Sequence, residues 1–583
     1  MDRDKLLDIL GWAAFAFACS AFVLPVVNPD VFWHLSAGKY TVTHLGPPRT
    51  DFLSWPLAGA EWVDFEWLTQ VFYYLLHEAG GFRALQAFKA LLLALTLLVF
   101  RSTVLLYGRR SALPLALPFF AAAILSNCDL RPENFTLLFF ALTLYFLEKS
   151  RLGSAPGGPR AAAAAFVFFA LWTNLHAGYL YGLALIGLYA AGEFLTEQLP
   201  YIYGKGPFAR PQKSLQYLKF FFTGLAASLA NPYGWKIYAV IANHQEHIAA
   251  LQEHIQEWSP FSLDNAYQWP YALALGAAFG AAGYFLLRRR HVVYQHIAAL
   301  LFFAWASAAH QRHIPFFVMT ALPFALALPW EGAGPRLRRA LQAGAAVLAA
   351  ALLWFYYALV WPQYGAAPRV SRWSSDGLAD FLKANSGELS GLRLYNHWGW
   401  GGWLGWELGP AYRPFIDGRY LFHDKIPEVT GLSKDVRNWT RLIDRYEFGL
   451  MLVKLDEPAV PVKQRLNDGT EEFFWRPAYM FYLPRREWAV VYWDRSVAAL
   501  VRRSAVPPGW LKERELRWLR PGDGANLQAP LLAGEIPLPE LRRERDIMLG
   551  WRRDAEGYAG ADAARRVEEL EALCAAKGAR CAR

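Results

Sequence analysis

Asn28-Pro29-Asp30-Val31-Phe32-Trp33-His34-Leu35-Ser36-Ala37-Gly38-Lys39-Tyr40 follows directly on the apolar run 6–27. That run is long enough to cross a bilayer. It resembles a signal peptide, but it is long and has no small-residue cleavage site, so it reads as a retained first span. From Val31 the apolar and aromatic residues recur at helical spacing. They predict a helix lying flat at a membrane interface, anchored by Trp33 and Tyr40. A turn-rich stretch follows, Gly46-Pro47-Pro48-Arg49-Thr50-Asp51. Trp62-Val63-Asp64-Phe65-Glu66-Trp67-Leu68 then leads into a second amphipathic helix near 69–78.

Working outward, the same apolar character repeats. Further candidate spans lie at 82–107, 112–127, 134–147, 161–175, 177–195, 215–229, 269–287, 292–309, 314–329 and 340–361. With 6–27 this makes about eleven transmembrane helices, several shorter than the roughly 17 residues a span needs. Helices are the expected form, because lipid leaves no partner for bare backbone groups. Of the 583 residues 55% are hydrophobic and only 19% charged, and the charge concentrates after about Trp361. The chain therefore reads as a polytopic α-helical membrane domain, 1–362, with a large first outer loop, 28–80, and a soluble block behind it.

The net charge of +10 does not point to nucleic acid. Lys and Arg sit in alternate short loops: Arg109 and Arg110; Lys149, Arg151 and Arg160; Lys205, Arg210 and Lys213; 288–290; and Arg336, Arg338 and Arg339. That is the positive-inside pattern. It places the N-terminus in the cytoplasm and, after an odd number of spans, the C-terminal domain outside. Cys574 and Cys581 could then pair as a disulfide.

The opposite loops hold the chemistry. They carry Asp30, Asp51, Asp64 and Glu66; Arg131, Glu133 and Asn134; Asn174 and His176; Glu257 and Trp258; and Arg312 and His313. Ionisable groups bunched at membrane depth on one side suggest an aqueous cavity. Each also has a structural reading. Asp30 is a natural helix N-cap, Asp51 lies in a turn, and Asp64 and Glu66 suit a polar helix edge. Arg131 can pair with Glu133. His176 can be a satisfied donor, and Arg312 with His313 can snorkel to headgroups. His244, His247 and His254 lie on one predicted helix without metal-ligand spacing.

After 363 an α/β domain is expected to 503, with strands at 391–395, 413–416, 448–454 and 488–491 and a helix at 400–407. Glycines 399, 401, 402 and 405 allow close backbone approach. The Trp-Gly cluster at 398–406 suits stacking on a sugar or a peptide, or an aromatic core. Asp417 and Arg419 form a local ion pair or reach the cavity. The tail, 504–583, is charged and Pro-rich, then helical over 560–576.

NPDVFWHLSAGKYTVTHLGPPRTDFLSW (28–55) followed by EWVDFEWL (61–68) resembles the first loop of a bacterial branch of the GT-C glycosyltransferase superfamily, which includes protein O-mannosyltransferases and oligosaccharyltransferases. LRPENF (130–135), WTNLHAGY (172–179), NPYGW (231–235), Glu257-Trp258, RHIPFF (312–317), YNHWGWGGWLGW (395–406) and FIDGR (415–419) extend the resemblance in order. It implies an enzyme of a bacterial inner membrane, with its C-terminal domain in the periplasm. Such an enzyme takes a sugar from a polyprenyl-phosphate carrier and gives it to an envelope acceptor. Asp30 matches the acid that serves as base or metal ligand, because a hydroxyl nucleophile needs a carboxylate within hydrogen-bond reach. Asp51, Asp64 and Glu66 are the candidates for a second acid, since the adjacent acidic pair of several GT-C families is missing. That leaves a divalent cation, Mg or Mn, open. The leaving phosphate needs cationic donors: Arg131, Arg312 and His313, with His34, Glu133, Asn174 and His176 beside them. Glu257, Trp258, Trp398, Trp400, Asp417 and Arg419 are candidates for holding the acceptor. A transporter or flippase of lipid-linked material, or a non-catalytic assembly component, is the alternative. Charges gathered on one face and the lack of inverted halves favour the enzyme.

Overall fold

A computed structural model describes residues 2–153, 158–203, 212–287, 293–328, 335–365, 375–456, 459–467, 469–551 and 558–577. Expectations for Lys205, Arg210, 288–290 and Cys581 lie outside the described residues. The chain divides into two compact units. The first is Met1–Arg49 with Val63–Arg369, and the second is Thr50–Trp62 with Val370–Arg583.

The first unit is helical, and each of the eleven apolar stretches falls on a helix, from Arg3–Ser20 to Pro335–Phe355. Trp67–Leu106, Tyr179–Ile202, Ala266–Leu287 and Arg339–Tyr364 are long and apolar enough to cross a membrane. A helix does form where the flat one is predicted, Val31–His44, with 31–38 buried. The second amphipathic helix runs on into the next span as Trp67–Leu106, with non-helical backbone at Gly80 and Gly81 marking the join. The buried core is built of Leu, Phe and Ala from these helices. Away from the outer-loop residues, the helix Glu133–Leu152 buries Glu148 completely. That carboxylate accepts from Tyr189 Oη at 2.6 Å, His296 Nε2 at 2.8 Å and Arg151 Nη2 at 2.9 Å, and so ties three helices together.

The second unit has a four-stranded sheet, with β1 Leu394–Tyr395, β2 Leu450–Lys454, β5 Trp488–Trp493 and β6 Val497–Arg502 in the order β1-β2-β6-β5. Only the β1–β2 pair is parallel. Strands β3 Ala459–Arg465 and β4 Glu471–Pro477 form a separate hairpin. The predicted strand at 413–416 is not one. The Asn396 side chain takes the place of a neighbouring strand there, accepting from Phe415 N at 2.7 Å and donating to Ile416 O at 2.8 Å. The tail is not separate from this unit. Leu516, Leu531, Leu541, Val567 and Leu570 are buried in the same core as Tyr395, Met451 and Trp488. Its last helix is Tyr558–Lys577, and Cys574 is disulfide-bonded.

Close approaches require glycine at two positions. A Cβ on Gly401 would stand 1.9 Å from the Ile416 carbonyl oxygen, so the Trp-Gly run is needed for helix 401–408 to meet the chain beside Asp417. A Cβ on Gly38 would stand 2.1 Å from the Gln70 carbonyl oxygen, where the two first-loop helices cross. Backbone cannot yield as a flexible side chain does. Gly38→Ala is therefore expected to lower stability by about 1–3 kcal/mol, read as thermal unfolding in detergent. Gly46→Ala, with open space around it, is expected to leave the transition unchanged.

Candidate functional site

Helix ends assemble the site in the first unit. Asp30 is the N-cap of Val31–His44, and Glu66 is the N-cap of Trp67–Leu106. Glu133 opens Glu133–Leu152, and His176 caps the C-terminus of Pro159–Leu175. Arg312 lies in the turn between Tyr294–Ala309 and Ile314–Ala327. Carboxylates at helix N-termini are favoured by the peptide dipoles, which gives Asp30, Glu66 and Glu133 a structural reason as well.

Glu66 is the hub. Its Oε1 lies 3.6 Å from His176 Nε2 and its Oε2 lies 4.0 Å from His34 Nδ1. Gly178 N–H donates to His176 Nδ1 at 3.0 Å, and the Thr136 hydroxyl sits 2.8 Å from the same nitrogen. The ring proton is thereby left on Nε2, facing Glu66. Burial raises the Glu66 proton affinity well above the usual carboxylate range, and the charges of Asp64 and Asp30 raise it further, against Arg312. Burial, with Arg131 nearby, pushes His34 down to about 3, and burial with Arg312 nearby lowers His176. At the 3.6 and 4.0 Å contacts burial thus works against the charged form of either partner. Asp64 accepts from Gln70 Nε2 at 2.6 Å.

A chain of cations and acids continues from there. Arg131 pairs with Glu257. Arg312 stands 3.9 Å from Glu257 and 3.6 Å from Glu133, and its guanidinium lies 4.5 Å from the Trp258 ring. Two arginines thus share one glutamate. Several buried polar atoms here have no hydrogen-bond partner: His34 Nδ1, Tyr73 Oη, Glu133 Oε1, Asn134 Nδ2 and Arg312 Nε. Buried polar atoms are nearly always paired, and such a group marks the place of a polar ligand or water.

Other predicted residues serve structure. His313 offers Nε2 to the Tyr181 hydroxyl at 2.7 Å and Nδ1 to the Ala306 carbonyl at 3.1 Å, and burial pushes it down to about 3. Asn174 clamps Trp67 Nε1 and the Ala170 and Ala230 carbonyls, each at 2.8 Å. His244 and His247 turn their Nδ1 atoms to backbone carbonyls at 2.8 Å.

The second unit keeps the remainder. Asp51 accepts from Leu53 N at 2.9 Å, from the Ser54 hydroxyl and from Arg419 Nη1 at 2.7 Å. Arg419 also meets Asp417 at 2.7 Å and lies 4.6 Å from the Trp62 ring. All three ions are almost fully buried. Asp51 thus belongs to a closed ion network. Trp400 is buried, and Trp398 packs against the core of this unit.

The sequence reading missed Gln70 and Tyr73. They follow Glu66 at helical spacing, four and seven residues on respectively, and that one-face pattern was the available signal. Among the described residues, no group of three or more His, Cys, Asp or Glu is arranged to hold a metal ion. Glu133 and Glu257 face arginines, Glu66 faces histidines and Asp64 a glutamine. This donor set does not fit a divalent cation, and no step through one is derived.

No protein-family model and no curated protein matches the chain. Solved structures do. The oligosaccharyltransferase AglB from Archaeoglobus fulgidus, in complex with an inhibitory peptide and a dolichol-phosphate, matches with TM-score 0.51 at 12% identity, covering 94% of this chain and 86% of that one. The oligosaccharyltransferase of that organism tethered to an acceptor peptide matches with TM-score 0.50 at 12% identity and the same coverage, 94% and 86%. ArnT from Cupriavidus metallidurans bound to undecaprenyl phosphate gives TM-score 0.42 at 15% identity, covering 86% and 99%. The chain is similar in fold to the GT-C oligosaccharyltransferases.

Two outcomes follow. His34 is held neutral when folded but takes a proton near pH 6.5 when unfolded. Its stabilising effect is full above about 6.5 and is lost as the pH falls toward about 3. His34→Gln is expected to flatten the acid side of the stability profile relative to wild type, measured by thermal unfolding from pH 7 to 4. Asp51→Asn leaves the Arg419 charge partly unmet and is expected to cost about 3–5 kcal/mol, visible as a lowered unfolding temperature.

Proposed function

We propose that this protein transfers a sugar from a polyprenyl-phosphate carrier to an acceptor hydroxyl or amide on the extracytoplasmic side of a bacterial inner membrane. The observation that carries the reading is the meeting of Asp30, Asp64 and Glu66 with Arg131 and Arg312, among buried polar atoms that lack partners. Acids and arginines in one place supply what glycosyl transfer needs: a proton acceptor for the nucleophile, and cationic donors for a leaving phosphate.

In the reaction, the Asp30 carboxylate takes the proton of the acceptor. The acceptor heteroatom forms a bond to the anomeric carbon as the bond from that carbon to the phosphate oxygen breaks. The phosphate leaves with the electron pair. Arg131 and Arg312 then hold it in place of the glutamate they now share, Glu257, and the bidentate shape of guanidinium suits a phosphate. Glu66, held toward its neutral form, is suited to donating a hydrogen bond rather than to accepting a proton.

A groove of about 640 Å³ supports a lipid carrier. Its lining is mostly apolar, including Leu68, Phe166, Val167 and Leu171, and Trp67 and Asn174 also border it. Trp67 directly follows Glu66, so an isoprenoid chain in the groove would bring its phosphate toward the hub. The cytoplasmic placing of Lys- and Arg-rich loops and the disulfide at Cys574 support an outward-facing second unit.

Asp30→Asn in proteoliposomes with a labelled polyprenyl-phosphate sugar is expected to reduce transfer by about 10²–10⁴-fold, with folding and insertion unchanged. Full transfer by that variant would remove Asp30 from the mechanism. Movement of the lipid across the bilayer without covalent transfer would replace the enzyme with a transporter.

A further inference from the structure

A second collection of cations lies in the second unit and takes no part in the site above. Arg476 on β4, Arg485 after the helix Tyr479–Tyr482, and Arg520 surround one carboxylate, Asp523. Arg476 Nη1 meets Asp523 at 3.1 Å and Arg476 Nη2 donates to Gln464 at 2.9 Å. Arg485 Nη2 stands 3.5 Å from Asp523. Asp523 also accepts from Asn526 Nδ2 at 2.7 Å, so little of its capacity remains.

Arg520 is the anomaly. It is 2% exposed, its Nε donates to the Arg517 carbonyl at 3.1 Å, and neither Nη1 nor Nη2 has a hydrogen-bond partner. Arg485 Nε is likewise buried and unpartnered. Burial, with the charge of Arg485 beside it, pushes Arg520 down to about 10. Guanidinium does not escape such a site by giving up its proton at neutral pH. An unmet buried charge costs several kcal/mol, and a fold keeps it where a counter-ion comes and goes.

A cavity of about 300 Å³ adjoins this group. Arg476, Arg485 and Asp523 line its charged side, while Met480, Phe481 and Trp518 contribute apolar surface. Arg485 and Arg517 lie over the Trp518 ring at 5.2 and 5.4 Å. Two further acids face the region. Glu535 lines the cavity and accepts from Asn467 N at 2.8 Å, and Glu515 is engaged by Arg503. On the cavity wall Arg476 and Arg485 stand beside Asp523 and Glu535, and the buried charge of Arg520 adds to the cationic side.

We propose that this cavity binds a small ligand carrying a phosphate monoester or a carboxylate on an apolar or ring-shaped body. The oxyanion meets the guanidinium groups of Arg476 and Arg485 on the cavity wall, the charge of Arg520 beside Arg485 adds to the attraction, and the ring lies against Trp518. The bidentate fork of arginine matches both oxyanions, and aromatic surface beside it holds the body of the ligand.

The test uses the full chain in detergent, with inorganic phosphate in one arm and glucuronate in the other, followed by equilibrium dialysis of labelled ligand. Wild type is expected to bind at least one of them saturably, and the better arm identifies the oxyanion. Arg485→Gln and Arg520→Met are each expected to weaken binding at least tenfold. Arg520→Met is also expected to raise the unfolding temperature without ligand, because it removes an unmet buried charge; a purely structural arginine would lower it. If Arg520→Met does not fold, Arg485→Gln carries the binding test alone. Absence of saturable binding by wild type in both arms, or undiminished binding by the variants, overturns the proposal. None of these residues lies at the site in the first unit, so sugar transfer and anion binding can fail separately.

Discussion

An ion taken out of water must meet an opposite charge or a set of hydrogen bonds, or the fold loses several kcal/mol. Both units are arranged around that requirement. In the second unit Arg419 is enclosed by Asp51 and Asp417 and roofed by Trp62. The network recruits Thr50–Trp62, a stretch of the first loop, into the C-terminal half of the protein. In the first unit Glu148 meets the same requirement with a histidine, an arginine and tyrosines. The carboxylate oxygens of Asp51, Asp417 and Glu148 and the nitrogens of Arg419 all have partners, and these networks read as architecture.

Where the requirement is met incompletely, chemistry is the better reading. Around Glu66 burial disfavours the charged forms of Glu66 and of its histidine neighbours. Arg131 and Arg312 share one glutamate. A phosphate entering there replaces a shared counter-ion and meets an unpartnered Arg312 Nε. The same contrast separates Arg419, fully enclosed, from Arg520, whose terminal nitrogens lack partners. Partner count, more than residue type, distinguishes the two.

This contrast also explains why residue type misled at Asp51. In the sequence it is a candidate second acid, equal in rank to Asp64 and Glu66. Its oxygens are used by Leu53, Ser54 and Arg419, 368 residues away for the last. No local pattern carries such a distance. His313 and Asn174 are similar, because their side chains are spent on Tyr181, backbone carbonyls and Trp67.

The helices were legible in the sequence because lipid permits few alternatives. An apolar run of sufficient length has to satisfy its backbone internally, so composition predicts helix at 82–107 or 269–287 without knowledge of neighbours. The first-loop helix at 31–44 was legible for a related reason, since its apolar residues repeat at the helical period. The sheet was less so. The predicted strand at 413–416 is pinned by the Asn396 amide instead of a ladder, and β3 and β4 alternate exposed charges with few apolar signals. The tail looked detached because its apolar residues are dilute, yet they complete a core shared with residues more than a hundred positions earlier. What tertiary structure alone decided was which charges meet. Sequence states the kind and order of ionisable groups, but pairing depends on distances across the fold, and distance determines whether a buried carboxylate is a strut or a base.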